Sequence, residues 1–125
     1  MWLFLNDAFL SIVIDRDDPD RLLCRSRARG DLEALFGDVD VIETPSRDYR
    51  FRVSLPRSRV ASAVSNRVLA LDYDNFKSSV PEADRHDCYL KVWTSMLNFQ
   101  EKRLARGRKA VGRDRNVPEG NRSPM

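Results

Sequence analysis

One histidine, two cysteines and five glycines in 125 residues leave little material for several common site chemistries. Cys24 and Cys88 stand far apart and form neither a CxxC pair nor a Cys/His cluster, so the spacing of a structural zinc site is missing. Free thiols in a reducing compartment are the expectation. Glycine is too sparse for a phosphate-cradling loop, and neither HExxH nor GxSxG occurs. No apolar run approaches the roughly 20 residues of a membrane span. The N-terminus is apolar at Met1–Leu5 and again at Phe9–Ile14, but Asn6 and Asp7 interrupt it and no Lys or Arg precedes Arg16. That is not the pattern of a signal peptide. The expectation is a cytoplasmic protein with a buried first hairpin, no membrane contact, no metal and no cofactor.

What the chain has in quantity is charge. Charged residues make up 33% and hydrophobic ones 42%, enough for one ordinary core. The net charge of +3 is unevenly placed. Residues 1–100 hold 14 Lys and Arg against 16 Asp and Glu, and residues 101–125 hold 8 against 3. Any basic patch on the first hundred residues must therefore come from clustering. A single globular α+β domain is expected over residues 1–104, followed by a basic disordered tail over 105–125.

Two β-rich runs, Trp2–Leu5 and Phe9–Asp15, flank Asn6-Asp7-Ala8 and read as a hairpin. A third strand is expected over Leu22–Ala28. Gly30 ends it, Asp31 is placed to cap the next turn, and Leu32, Leu35 and Phe36 give a short helix. Val39–Thr44 and Tyr49–Leu55 read as two more strands around Pro45-Ser46-Arg47-Asp48. Pro56 suits a helix start, with Val60, Val64, Val68 and Leu71 on one face. Ser79-Val80-Pro81-Glu82 has the form of a capping box. A long helix then runs to about Arg103, with Tyr89, Val92, Trp93, Met96 and Phe99 as its apolar stripe. The order β-β-β-α-β-β-α-α predicts an antiparallel sheet of about five strands with helices on one face: a ferredoxin-like core plus an N-terminal hairpin and a long C-terminal helix.

Within two of those strands arginine recurs at every second residue, Arg25 with Arg27 and Arg50 with Arg52. Strand side chains alternate faces, so each pair leaves the sheet on one side. Four planar guanidiniums on one surface suit phosphate or carboxylate. They suit equally an internal network with Asp31, Glu33, Glu43, Asp48, Asp72 or Asp74. The open face of a ferredoxin-like sheet is where RNA-recognition domains stack bases on aromatic rings. By parity, Tyr49 and Phe51 should lie on the face opposite Arg50 and Arg52, a departure from that precedent.

Several separated motifs carry a resemblance. They are Trp2 with Phe4, Phe9 with Ser11, Arg25-Ser26-Arg27 leading to Asp31-Leu32, and Glu43-Thr44-Pro45-Ser46-Arg47-Asp48-Tyr49-Arg50-Phe51-Arg52. Asp72-Tyr73-Asp74-Asn75-Phe76-Lys77 and Arg85-His86 with Tyr89, Val92 and Trp93 complete them. Over roughly residues 2–97 the chain resembles a family of short, uncharacterised bacterial proteins also found in phage-like settings. Cys24 stands where that pattern has Val. The resemblance implies no activity. It implies that the arginine strands and the Asp72–Lys77 segment are the signature, and so the places to look for function.

The candidate ligand-binding residues are thus Arg25, Arg27, Arg50, Arg52, Asp72, Tyr73, Asn75, Lys77 and His86. Asp72 and Asp74 are a sparse set for Mg²⁺, and the segment reads equally as a packed connector with Tyr73 and Phe76 as anchors and Asn75 closing a turn. His86 could act as a base only beside a nucleophile such as Ser11, Ser78 or Cys88. The leading expectation is a non-catalytic binding protein whose arginine face contacts a polyanion: nucleic acid or a nucleoprotein complex, with an acidic protein as the other partner class. The alternatives are a protein-interaction factor, such as a phage-encoded inhibitor of a bacterial complex, and a small enzyme on a phosphorylated or carboxylated metabolite. The last helix is also long enough to mediate a homodimer.

Overall fold

The computed structural model describes residues 1–113. Five strands form one sheet in the order β1-β2-β3-β5-β4: β1 (Trp2–Phe4), β2 (Phe9–Ile14), β3 (Arg21–Ser26), β4 (Ile42–Glu43) and β5 (Phe51–Pro56). Every neighbouring pair is antiparallel. Helix α1 (Asp31–Phe36) joins β3 to β4, and β5 then inserts between them, which is the split β-α-β arrangement of the expected ferredoxin-like core. Strand β2 borders β3 on its other side and completes the sheet with the N-terminal hairpin. Helix α2 (Arg57–Leu69) follows β5, then the short α3 (Phe76–Ser79) and the 31-residue α4 (Ala83–Arg113). By its contacts the chain forms two compact units, Met1–Glu82 and a second beginning at Ala83.

In the first unit, alternation sorts the strand residues. Leu10, Ile12, Cys24, Phe51, Val53 and Leu55 point to one side, where Leu32 and Phe36 of α1 and Val60 of α2 close the core. Burying side chains of that size contributes roughly 1.5–3 kcal/mol each, which is why register is well specified here. Gly30 and Gly37, at φ of 92° and 76°, bracket α1 with backbone conformations that L side chains adopt rarely.

Several local expectations change. Asp31 does not cap α1. Its carboxylate is buried and accepts the Phe9 N–H at 2.9 Å, tying the helix start to β2. In α2 the row packed on the core is Val60 and Ala63, with Arg67 next in line and paired with Asp7; Val64 is half-buried, and Val68 and Leu71 are exposed. Ser79 closes α3, its hydroxyl donating to the Phe76 carbonyl at 2.6 Å, and α4 starts only at Ala83, four residues later. Helix α4 continues to Arg113 rather than ending near Arg103. A glycine inside a helix costs only about 1 kcal/mol, and the Arg, Lys and Ala residues around Gly107 are good helix formers. The expected disordered tail is thus helical over residues 105–113, and its remainder, 114–125, lies outside the described residues.

Candidate anion-binding face

The sheet side opposite the core is fixed by register. Trp2 pairs with Ser11, Ser11 with Arg25, Arg25 with Arg52 and Arg52 with Ile42. Directly paired residues share a face, so one row across all five strands carries an aromatic ring, a hydroxyl, two guanidiniums and an isoleucine. Trp2 is 65% exposed at the end of that row and packs edge-on against Phe9, which in turn meets Phe4.

The arginines gather around a residue that parity misplaced. Strand β5 begins at Phe51, so Tyr49 lies before it and is not bound by the alternation. Thr44 holds the approach to β5: its N–H donates to the Arg50 carbonyl at 2.6 Å and its hydroxyl to the same carbonyl at 3.1 Å. Asp48 accepts the Tyr49 N–H at 2.9 Å. The Tyr49 ring therefore turns to the arginine side and is only 5% exposed. The guanidinium carbon of Arg25 lies 4.5 Å from its centroid and that of Arg27 lies 4.2 Å away. The two carbons are thus no more than about 9 Å apart. Their mutual repulsion at that separation is about 0.5 kcal/mol in water and about 2 kcal/mol near a protein surface. The negative π face of the ring offsets it by a comparable amount.

Arg52 closes the group. Its Nε donates to the Tyr49 carbonyl at 3.2 Å and its Nη2 reaches Asp48 at 3.4 Å. Arg27 donates to the Asp48 carbonyl at 2.9 Å, and Arg25 donates to the Ser11 hydroxyl at 2.8 Å. The Arg25 Nε is buried with no hydrogen-bond partner. Burial first, then the neighbouring Arg25 and Arg47 charges, pull the pKa of Arg52 down, and the Asp48 carboxylate opposes them. An arginine keeps its proton at neutral pH regardless.

Arg50 does not join this group. Its Nε donates to Glu43 at 2.8 Å, and Arg29 meets the same carboxylate oxygen at 3.0 Å. Glu43 pairs in register with Phe51, and Arg29 lies over the Phe51 ring, so this cluster follows the other parity at the sheet edge. The Arg50 contact, first of all, holds the Glu43 carboxyl below its ordinary value. Three of the four predicted arginines therefore converge and the fourth is internally paired. Among the described residues, Arg25 and Arg27 lie over Tyr49, Arg47 is near enough for its charge to act on Arg52, and Asp48 is the carboxylate that meets the group.

The other predicted residues lie apart. Asp72, Tyr73, Asn75 and Lys77 belong to the connector before and within α3. Asn75 caps that helix by accepting the Ser78 N–H at 3.1 Å, and the Tyr73 and Phe76 rings meet at 5.9 Å. Asp72 and Asp74 are exposed, and among the described residues no cluster of three or more His, Cys, Asp or Glu is placed to hold a metal ion. His86 lies in the second unit, its Nδ1 3.5 Å from the carboxylate of the adjacent Asp87. Sequence reasoning missed Tyr49 as the platform, and Trp2, Ser11 and Arg47 as companions of the arginines. The alternation of Phe9, Ser11 and Val13 did carry a signal for the second, since it puts Ser11 level with Trp2.

Comparison of the chain with protein-family models, with curated proteins and with solved structures gives no match. Among the described residues no helix is long and apolar enough to cross a membrane.

Proposed function

We propose that the protein is a non-catalytic binding module that holds a nucleic acid strand on the Arg25–Arg27–Arg47–Arg52 face. The observation that carries this reading is the stacking of two guanidiniums on a buried tyrosine beside a third, where among the described residues Asp48 is the carboxylate that meets them. An ion-pair network built for stability would set a carboxylate directly on its cations, as Glu43 is set on both Arg29 and Arg50 at 3.0 and 2.8 Å. Here Asp48 stands 3.4 Å from Arg52 instead. Phosphates supply negative charge at the regular spacing a row of cations can follow. Tyr49 is already covered, so bases would stack on the exposed Trp2 or on guanidinium planes.

Fluorescence anisotropy with a labelled single strand over a salt series tests the proposal. About three neutralised phosphates predict a slope of log K against log salt near −2 for a single strand. Reversing two exposed cations in Arg27→Glu with Arg47→Glu should abolish binding at low salt. Undiminished binding by that variant would move the contact to the basic stretch after residue 100 and remove the sheet from the explanation.

A further inference from the structure

The second unit presents a feature that the anion-binding reading does not use. Leu90, Leu97, Leu104 and Val111 recur at every seventh residue of α4, and all four are exposed, between 38% and 49%. In a straight helix such a row drifts by about 20° per repeat, and a left-handed supercoil with a partner helix brings it back into line. A helix that serves only the core of its own domain has no need of a strict seven-residue period. Between the rungs stand Trp93, Gln100 and Gly107, and Gly107 leaves room for a close backbone approach. A depression on the helix surface is lined by Trp93, Met96, Leu97, Gln100 and Leu104, with Phe99 and the Arg103 guanidinium stacked on it at the edge, and a facing side chain could insert there as a knob.

Charge says which way round a second copy would lie. From Glu101 to Arg113 the helix carries six Lys and Arg against one Glu. From Ala83 to Gln100 it carries Asp84 and Asp87 against Arg85 and Lys91. Two copies side by side in parallel would set six cations against six. In the antiparallel arrangement each basic half lies along the balanced half of its neighbour, and the helix dipoles also oppose. We infer that Leu90, Leu97, Leu104 and Val111 form the seam of an antiparallel helix pair with α4 of a second copy of this chain.

The test is the oligomeric state of the full chain by sedimentation velocity with light scattering, up to about 1 mM. The expected result is a reversible dimer. Leu97→Glu with Leu104→Glu should weaken it by about 100-fold or more, with an unchanged far-ultraviolet spectrum. Leu97→Ala with Leu104→Ala gives a milder version of the same shift should the charged pair fail to fold. Lys102→Glu, on the far side of the helix, should leave the dimer intact. A monomer at every concentration overturns the inference, as does a monomer that binds anionic vesicles. In a Cys88→Ser background, Val111→Cys should not cross-link to itself, because in an antiparallel pair centred on the seam, with Val111 opposite Leu90, those positions are about 30 Å apart. Ready self-disulfide formation would overturn the antiparallel assignment.

Discussion

Replacing Tyr49 by leucine separates the two roles of its ring. Leucine keeps most of the apolar bulk at a position that is 5% exposed, so the cost of an outright cavity is largely avoided. What disappears is the π face under Arg25 and Arg27, at 4.5 and 4.2 Å. A cation–π contact contributes about 0.5–1 kcal/mol when exposed and about 2 kcal/mol when desolvated. Arg25 is half-buried and Arg27 exposed, so the pair amounts to about 2 kcal/mol. Losing the ring also exposes the repulsion it offsets. With a urea dependence of about 1–2 kcal/mol per molar, the unfolding midpoint of Tyr49→Leu should fall by about 1–2 M. Tyr49→Phe, which keeps the ring, should shift it by less than half as much. Urea unfolding followed by tryptophan emission measures both. If the leucine variant unfolds where the parent does, the arginines do not depend on the ring and the account of this face is wrong.

Asp31→Ala should destabilise the first unit by about 2–3 kcal/mol in the same assay, since it leaves the Phe9 N–H without its buried acceptor. Asp15 titrates below the ordinary 3.8, chiefly because the Ser54 hydroxyl donates to it. A depressed folded-state value means that stabilisation is complete above the unfolded value and is lost as pH falls through the folded one. Ser54→Ala should therefore reduce the pH dependence of the unfolding midpoint below pH 4, and an unchanged acid limb would count against the bond. Cys24 is buried, its thiol pushed up to about 12, whereas Cys88 is exposed. A thiol reagent at neutral pH should label one cysteine in the native protein and the second only in denaturant, and mass mapping should place the fast adduct on Cys88.

The strand pattern was legible wherever alternation had a core to answer to. Phe51, Val53 and Leu55 alternate with Arg52 and Ser54, and the sheet follows them residue for residue. The same alternation misled one step earlier. Tyr49 and Arg50 continue the pattern in sequence, but the Thr44 contacts and the Asp48 turn take them out of the strand. Local hydrogen bonding by short polar side chains competes with the ladder, and periodicity is blind to it. Val39–Thr44 contracted to Ile42–Glu43 for a related reason: an edge strand with one neighbour has less to enforce its length. In α2 the valines at 64 and 68 suggested a row that the packing resolves through Val60 and Ala63, because the apolar positions alone left the facing angle open. The convergence of Arg25 with Arg52 was readable from parity and needed only the pairing of β3 with β5, which the split crossover supplies.

The stacking on Tyr49 has a consequence for recognition speed and selectivity. A free arginine side chain samples many rotamers, and fixing one costs about 2 kcal/mol. Arg25 and Arg27 undergo that loss when the chain folds, long before any guest arrives. If the proposed function holds, an incoming nucleic acid would meet a preset template rather than a brush of mobile cations, so capture should approach the rate set by diffusion and field, and discrimination among guests should rest on the fit of their charge spacing to that template.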